Sequence, residues 1–255
     1  MILTDTHTHL YSADFDEDRK EVIQRALEQD VSRFFIPAID SKHIAAMYNL
    51  EKAFPSQVFL MMGLHPTSVK DNYKEELLRV EQEFEKRDFY AVGEIGIDLY
   101  WDKSLLEKQQ IAFKQQIQLA KRKKLPIVIH CRDAFDEVFE VLESEKGPDL
   151  FGIFHCFTGD LSQAKKALTY NMKLGIGGVV TFKNGGIDKF LNEIPLKELV
   201  LETDAPYLAP APYRGKRNES SYIKIIAEKV AALYGLSLAE VAEITTQNSK
   251  DIFGV

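Results

Sequence analysis

Apolar residues along this chain gather in short dense runs, each followed by a longer stretch in which apolar positions recur every three or four residues. The runs are ILTDTH (2–7), RFFIPAI (33–39), VFLMMGLH (58–65), YAVGEIGI (90–97), PIVIHC (126–131), FGIFHCF (151–157), MKLGIGG (172–178) and ELVLETD (198–204). Near-continuous apolar runs of this kind, rich in branched and aromatic side chains, predict parallel strands whose outer face is covered. The stretches between them, such as DEDRKEVIQRALEQD, SLLEKQQIAFKQQIQLAKRKK and LSQAKKALTYN, carry the helical period. Eight strand-helix units predict a closed (β/α)8 TIM barrel, a single α/β domain over residues 1–255. The closing SLAEVAEITTQNSKDIFGV predicts one or two helices completing the outer ring, with Ser237 as N-cap three residues before Glu240.

Composition agrees with one large globular unit. With 45% hydrophobic and 28% charged residues, 255 residues can bury a sizeable core, which excludes disordered and fibrous classes. No repeat, linker or low-complexity tract divides the chain. The apolar runs are too short to span a membrane, and MILTDTHTHL lacks the basic segment, apolar core and cleavage site of an export signal, so a cytoplasmic protein is expected. The only cysteines, Cys131 and Cys156, each follow a histidine. If those histidines face the barrel interior, the cysteines face the helix layer as small apolar side chains, in a reducing setting. A net charge of -7 argues against a broad basic surface for duplex nucleic acid, though not against a local anion site.

Candidate chemistry collects where such barrels place it, at the C-terminal ends of the strands. In TDTHTHL, alternation along an extended strand would aim Asp5, His7 and His9 to one side. An HxH pair alone is weak evidence for a metal, but the later strand ends carry His65, Glu94, His130, His155 and Asp204. Five of the six histidines thus lie at strand ends, and His43 lies at a helix start after the second strand. Four imidazoles and two carboxylates suit two divalent ions, with Glu94 as the bridge. His7, His9 and Asp204 would surround one ion and His130 and His155 the other, a water between the ions serving as nucleophile. His65, in GLHP, is expected to support a ligand or to touch substrate, with Pro66 ending its strand. Glu202, two residues before Asp204, points the same way and is expected to buttress a ligand.

Beyond Asp204, the loop LAPAPYRGKRNESSYI places Tyr213, Arg214, Lys216, Arg217 and Asn218 above the same face. Three cations beside a metal site in an acidic chain predict an anion clamp centred on Arg214, with Tyr213 and Lys216 as neighbours and Arg132 serving the same end. KRKK (121–124) precedes the fifth strand, so it falls at the opposite face as a solvated helix end with no substrate role.

DTHTHL, GLHP, GEIGID, IHCRD, HCFTG and LETDAPYLAP followed by PYRGKRNE resemble, in order, the blocks of the TatD family of metal-dependent deoxyribonucleases within the amidohydrolase superfamily; TTQNSKDIFG resembles its ending. The likeness runs over nearly the whole chain. It implies a hydrolase of phosphodiester bonds that trims single-stranded DNA, and also RNA, from an end with Mg, Mn or Zn. The family's ligands fall on His7, His9, Glu94, His130, His155 and Asp204 without a gap. Ser220 departs from the proline of many relatives, which predicts a looser substrate loop.

The leading expectation is a two-metal nuclease in which Asp204 positions the water and takes its proton, Glu94 bridges, and Arg132 and Arg214 hold phosphate oxygens. Its substrate would be single-stranded DNA or a short oligonucleotide, with no membrane and no obligate protein partner. A rival is a small-molecule hydrolase of the same barrel type acting on a lactone, amide or phosphoester, favoured if the cationic loop were absent. A third reading, a binding protein whose site has lost activity, requires a missing ligand, and none is missing.

Overall fold

Eight strands alternate with helices around one axis in the computed structural model, which describes residues 1–255. The strands are β1 (Leu3–Asp5), β2 (Val31–Ile36), β3 (Val58–Leu60), β4 (Val92–Asp98), β5 (Ile127–Arg132), β6 (Gly152–Phe154), β7 (Met172–Ile176) and β8 (Leu199–Leu201). Each lies within or across one of the eight apolar runs. All pairings are parallel, in two ladders, β1-β2-β3 and β4-β5-β6-β7-β8, joined by a bridge between Met62 and Val92. The ends of β1 and β8 meet without a regular ladder, through Thr6 N to Leu201 O (3.0 Å), Asp204 N to His7 O (2.9 Å) and His9 N to Ala205 O (2.7 Å). The fold is an α/β TIM barrel.

The outer layer is α1 (Arg19–Leu27), α2 (Ile44–Ala53), α3 (Tyr73–Lys86), α4 (Leu106–Lys123), α5 (Phe135–Ser144), α6 (Leu161–Leu168), α7 (Ile223–Tyr234) and α8 (Leu238–Phe253). Helices are not distributed one per strand. Between β7 and β8 the chain forms only short 3-10 turns, and both α7 and α8 follow β8. Gly177, Gly178, Gly185, Gly186 and Pro195 punctuate that interval, so no run there sustains a helix. The C-terminal segment is one helix, opened by a reciprocal capping box between Ser237 and Glu240. The KRKK run ends α4, where Lys121 donates to the Glu145 carbonyl and Arg122 pairs with Glu81.

Two apolar clusters result. The larger, 64 buried residues, fills the space between strands and helices. The smaller, within the barrel, contains Phe35, Met61, Ala91, Val128, Ile153 and Val200, closed from below by Ile252 and Phe253 of α8. Phe35 stacks on Phe253 with ring centroids 3.9 Å apart. Alternation along β5 and through the ends of β6 and β8 then decides what lies above this plug: two residues beyond Val128, Ile153 and Val200 come His130, His155 and Glu202.

Candidate metal centre

Glu94, buried on β4, is the hub of the upper layer. Its Oε2 lies 3.1 Å from His7 Nε2 and 3.8 Å from His9 Nε2. Its Oε1 lies 2.8 Å from His130 Nδ1, 3.3 Å from His65 Nε2 and 3.4 Å from His155 Nε2. Asp204 completes the first side, with Oδ1 3.4 Å from His9 Nε2 and 3.9 Å from His7 Nε2. Three donor sets therefore form, His7–His9–Glu94, His7–His155–Asp204 and His65–Glu94–His130, each with its donor atoms within 4.8 Å of one another. All six expected ligands, and His65 with them, reach one cluster.

The electrostatics call for a cation. Glu94, Asp98, Glu202 and Asp204 are buried together, and no lysine or arginine is buried anywhere in the chain. Positive charge must therefore come from protonated imidazoles or from a bound ion. Burial alone would lower the His155 pKa, but the Glu202 and Glu94 carboxylates push it up to about 10. Burial opposes ionisation of Glu94 too, yet the His65, His155 and His7 rings around it hold it well below the usual carboxylate range. Burial depresses His7 and His65. His7 Nδ1 and Glu202 Oε2 are buried with no hydrogen-bond partner. Imidazole and carboxylate donors in this number fit divalent Zn, Mn or Mg.

The cluster is held from behind. Glu202 Oε1 accepts from His155 Nδ1 (2.9 Å) and from Cys156 N (2.6 Å), which fixes that ring's orientation as expected of a buttress. Glycine at 175 permits this: a Cβ there would fall 2.2 Å from Glu202 Oε2. Asp98, which pattern reading passed over, takes the corresponding place for His130, with Oδ2 2.9 Å from His130 Nε2. Alternation along GEIGID carried the signal, because Asp98 stands four residues beyond Glu94 on the same strand. Gly96 lies between them with φ +142°, and a Cβ there would fall 2.0 Å from the His130 carbonyl oxygen.

A cavity of about 670 Å³ opens above the cluster, lined among others by His9, His65, Asp98, Trp101, Arg132, Cys156, Asp204 and Tyr207. His65 lies in its wall with Nδ1 2.7 Å from Thr67 Oγ1. Arg132 reaches it with Cζ 3.8 Å above the Tyr100 ring. Arg214, Lys216 and Tyr213 are not in the wall. Arg214 lies on Phe182 with Cζ 3.6 Å from the ring, Tyr213 stacks on Tyr222 at 4.3 Å, and Lys216 stands 5.9 Å from Tyr213. Arg217 is tied to Asp18 and to the Asp14 carbonyl.

Three local expectations are corrected. Asp5 does not share a face with His7 and His9: β1 ends at Asp5 and the chain bends at residues 6 and 7, so alternation stops. Its carboxylate instead accepts from Thr203 N (2.9 Å) and Thr203 Oγ1 (2.6 Å), and burial pushes its pKa up to about 7. Both cysteines line the cavity instead of the helix layer alone. Cys156 sits beyond the end of β6 at φ +43°, and burial pushes its thiol pKa well up. Ser220 does not loosen the loop; it is fully buried and its hydroxyl lies 3.2 Å from Thr8 Oγ1, stitching the loop to the first strand's extension. Cys156, Asp204 (φ +58°) and Leu208 (φ +53°), all in the cavity wall, hold left-handed backbone that side chains adopt at a cost.

Comparison with known proteins finds relatives over the full length of the chain. A family model described as TatD related DNase matches residues 4–254. An uncharacterized metal-dependent hydrolase, YabD, of Bacillus subtilis is 39% identical over 255 residues, covering all of both chains. A 3'-5' ssDNA/RNA exonuclease TatD of Pantoea vagans is 32% identical over 256 residues, 98% of each chain. The crystal structure of the TatD homologue YjjV of Escherichia coli superposes with a TM-score of 0.93 at 29% identity, covering 99% of this chain and 98% of that one.

Proposed function

This chain belongs to the TatD-related DNase family and is a metal-dependent hydrolase, and we propose that it cleaves phosphodiester bonds at the end of a single strand of DNA or RNA. The observation that carries this reading is the two-sided environment of Glu94, with one oxygen among His7, His9 and Asp204 and the other among His130, His155 and His65. His7, His9 and Asp204 would hold one divalent ion, His130 and His155 a second, and Glu94 both. Such ions polarise a phosphoryl oxygen and lower the pKa of water.

The chain's own residues then have distinct tasks. Asp204, in the cavity wall with its Oδ1 turned toward His9 and His7, accepts the proton released as water attacks phosphorus and the bond to the leaving oxygen breaks. Arg132, the only lysine or arginine in the cavity wall, holds non-bridging phosphate oxygens with its planar fork. His65, in the cavity wall with Nε2 3.3 Å from Glu94 Oε1, would touch substrate or support that carboxylate. Asp98 and Glu202 keep the His130 and His155 rings from rotating. Arg214, Lys216 and Tyr213 lie outside the cavity wall, so the phosphate clamp at the cleaved bond falls to Arg132. The 3'-5' ssDNA/RNA exonuclease among the relatives supports the substrate class.

A second reading, hydrolysis of a small lactone, amide or phosphoester, is favoured by the scarcity of cations in the cavity wall. Protein stripped of metal and reloaded with Mg, Mn or Zn singly should shorten end-labelled single strands progressively and act slowly on blunt duplex. Brisk turnover of lactones or amides with intact oligonucleotides would reverse the choice.

A further inference from the structure

Folding leaves few large apolar side chains exposed, and of the three aromatic ones among them Trp101 and Tyr207 line this cavity, with Tyr100 packed edge-on to Trp101. Trp101 is 69% exposed and Tyr207 52% exposed. Exposed aromatics gathered at one opening mark a binding surface. Their positions are opposed: Trp101 follows β4 and Tyr207 follows β8, strands half a turn apart in an eight-strand ring, so the cluster lies between the two rings.

Both are held by the backbone around them. Asp98 Oδ1 accepts from Tyr100 N (3.0 Å) and Trp101 N (3.3 Å) while its other oxygen holds His130, so the aromatic turn and the cluster share one carboxylate. Tyr207 N donates to Asp204 O (2.8 Å), and Asn218 Nδ2 donates to Tyr207 O (2.6 Å). Tyr207 also packs edge-on to His9, centroids 5.8 Å apart. Cationic side chains supply little of the grip on a polyanion here: the chain carries a net charge of -7, and Arg132 is the only lysine or arginine in the wall. Flat apolar surface on either side of the cluster can supply it, because every nucleobase has a face to stack.

We propose that Trp101 and Tyr207 are stacking platforms for the unpaired bases on either side of the cleaved phosphodiester, and that they make the site select unpaired strand. This rests on the phosphodiesterase reading above. Paired bases are stacked on their neighbours and offer no free face to either ring, so a duplex must fray before it can seat.

Trp101 is the sole tryptophan, so its fluorescence reports its own contact. The metal-loaded protein is titrated with a short phosphorothioate-linked single strand, with the same strand made abasic at its end, and with a blunt duplex. The expected result is quenching by the single strand, with Kd weakened roughly 5- to 100-fold by the abasic change or by Tyr207→Ala, and restored by Tyr207→Phe. Combining the abasic change with Tyr207→Ala should cost less than the sum of the two, as contacting partners do. The slope of log affinity against log salt should stay near that of one or two phosphates, about 0.7 to 1.4. An equal Kd for intact and abasic strands, or an unchanged Kd in Tyr207→Ala, overturns the proposal. If the wild type degrades single strands while those results hold, only the stacking assignment falls. If it degrades no phosphodiester and hydrolyses a lactone, both readings fall.

Discussion

Inside the barrel, two adjoining layers of side chains hang from the same strands and obey opposite rules. Val128, Ile153 and Val200 belong to an apolar plug that excludes water, while His130, His155 and Glu202, two positions further on, belong to a buried charged cluster. The plug gains by burial alone, at about 25 cal/mol per Å² of apolar surface, and tolerates exchange of shape for shape. The cluster loses by burial, since each carboxylate left without compensation costs several kcal/mol. It persists because imidazoles and hydrogen bonds partner Glu94, Asp98, Asp204 and one oxygen of Glu202, and because the plug beneath gives those rings a rigid floor. Stability and chemistry are thus separated by one step of strand alternation.

The largest expected effect separates the layers from above. Glu94→Gln keeps the side chain's volume but removes the charge that both halves of the cluster share, so bound metal should fall to one ion or fewer and turnover should drop at least about 100-fold. Metal analysis with single-turnover rates checks it; two retained ions and a near-normal rate would remove Glu94 from the bridging role. The melting temperature of the metal-free protein should change little by comparison.

From below, Phe35→Ala empties the ring stacked on Phe253 and should cost about 3–5 kcal/mol, lowering Tm by on the order of 10 °C. Metal stoichiometry at low temperature should survive. Loss of metal in parallel with the loss of stability would mean that the two layers are not separable.

A smaller effect is expected at Asp98. Asp98→Asn leaves Oδ1 to hold the Tyr100 and Trp101 amides but withdraws the charged partner of His130 Nε2. Metal affinity measured by competitive titration should weaken about 10- to 100-fold. An unchanged affinity would make Asp98 a loop anchor only.

The smallest effect lies outside both layers. The hydrogen bond from Arg217 holds the Asp18 carboxyl below its ordinary 3.8, and Asp18 joins α1 to the loop after β8. A carboxyl lowered in the folded state contributes stability above its unfolded value and loses it as pH falls through the lower folded value. Stability should therefore dip below about pH 4 more steeply in the wild type than in Arg217→Ala, whose loss at neutral pH should be within about 1 kcal/mol. Parallel curves from pH 3 to 7 would show that the pair contributes nothing.

Much of this was legible along the chain. The eight apolar runs predicted the eight strands, and the residues at their ends named the six cluster members, because strand alternation and the polarity of a parallel barrel are local and repetitive rules. The same rules carried Asp98, which stands four residues beyond Glu94 on one strand. Where the local conformation departed from the rule, reading failed. Asp5 left the histidine face because β1 ends at Asp5 and the chain bends just after it, and no helix formed between β7 and β8 because glycines interrupt the interval.

Which residues share a strand end, and which type of side chain each contributes, is determined by the sequence alone, since both depend on neighbours a few positions away. Tertiary structure decided the rest: that Glu94 faces two groups of rings at once, that Cys156 turns into the cavity, that Arg214 rests on Phe182 while Arg132 reaches the mouth, and that Trp101 and Tyr207 oppose each other. These are contacts between segments tens to hundreds of residues apart. They exist only when the barrel closes and brings the end of β8 against the end of β1.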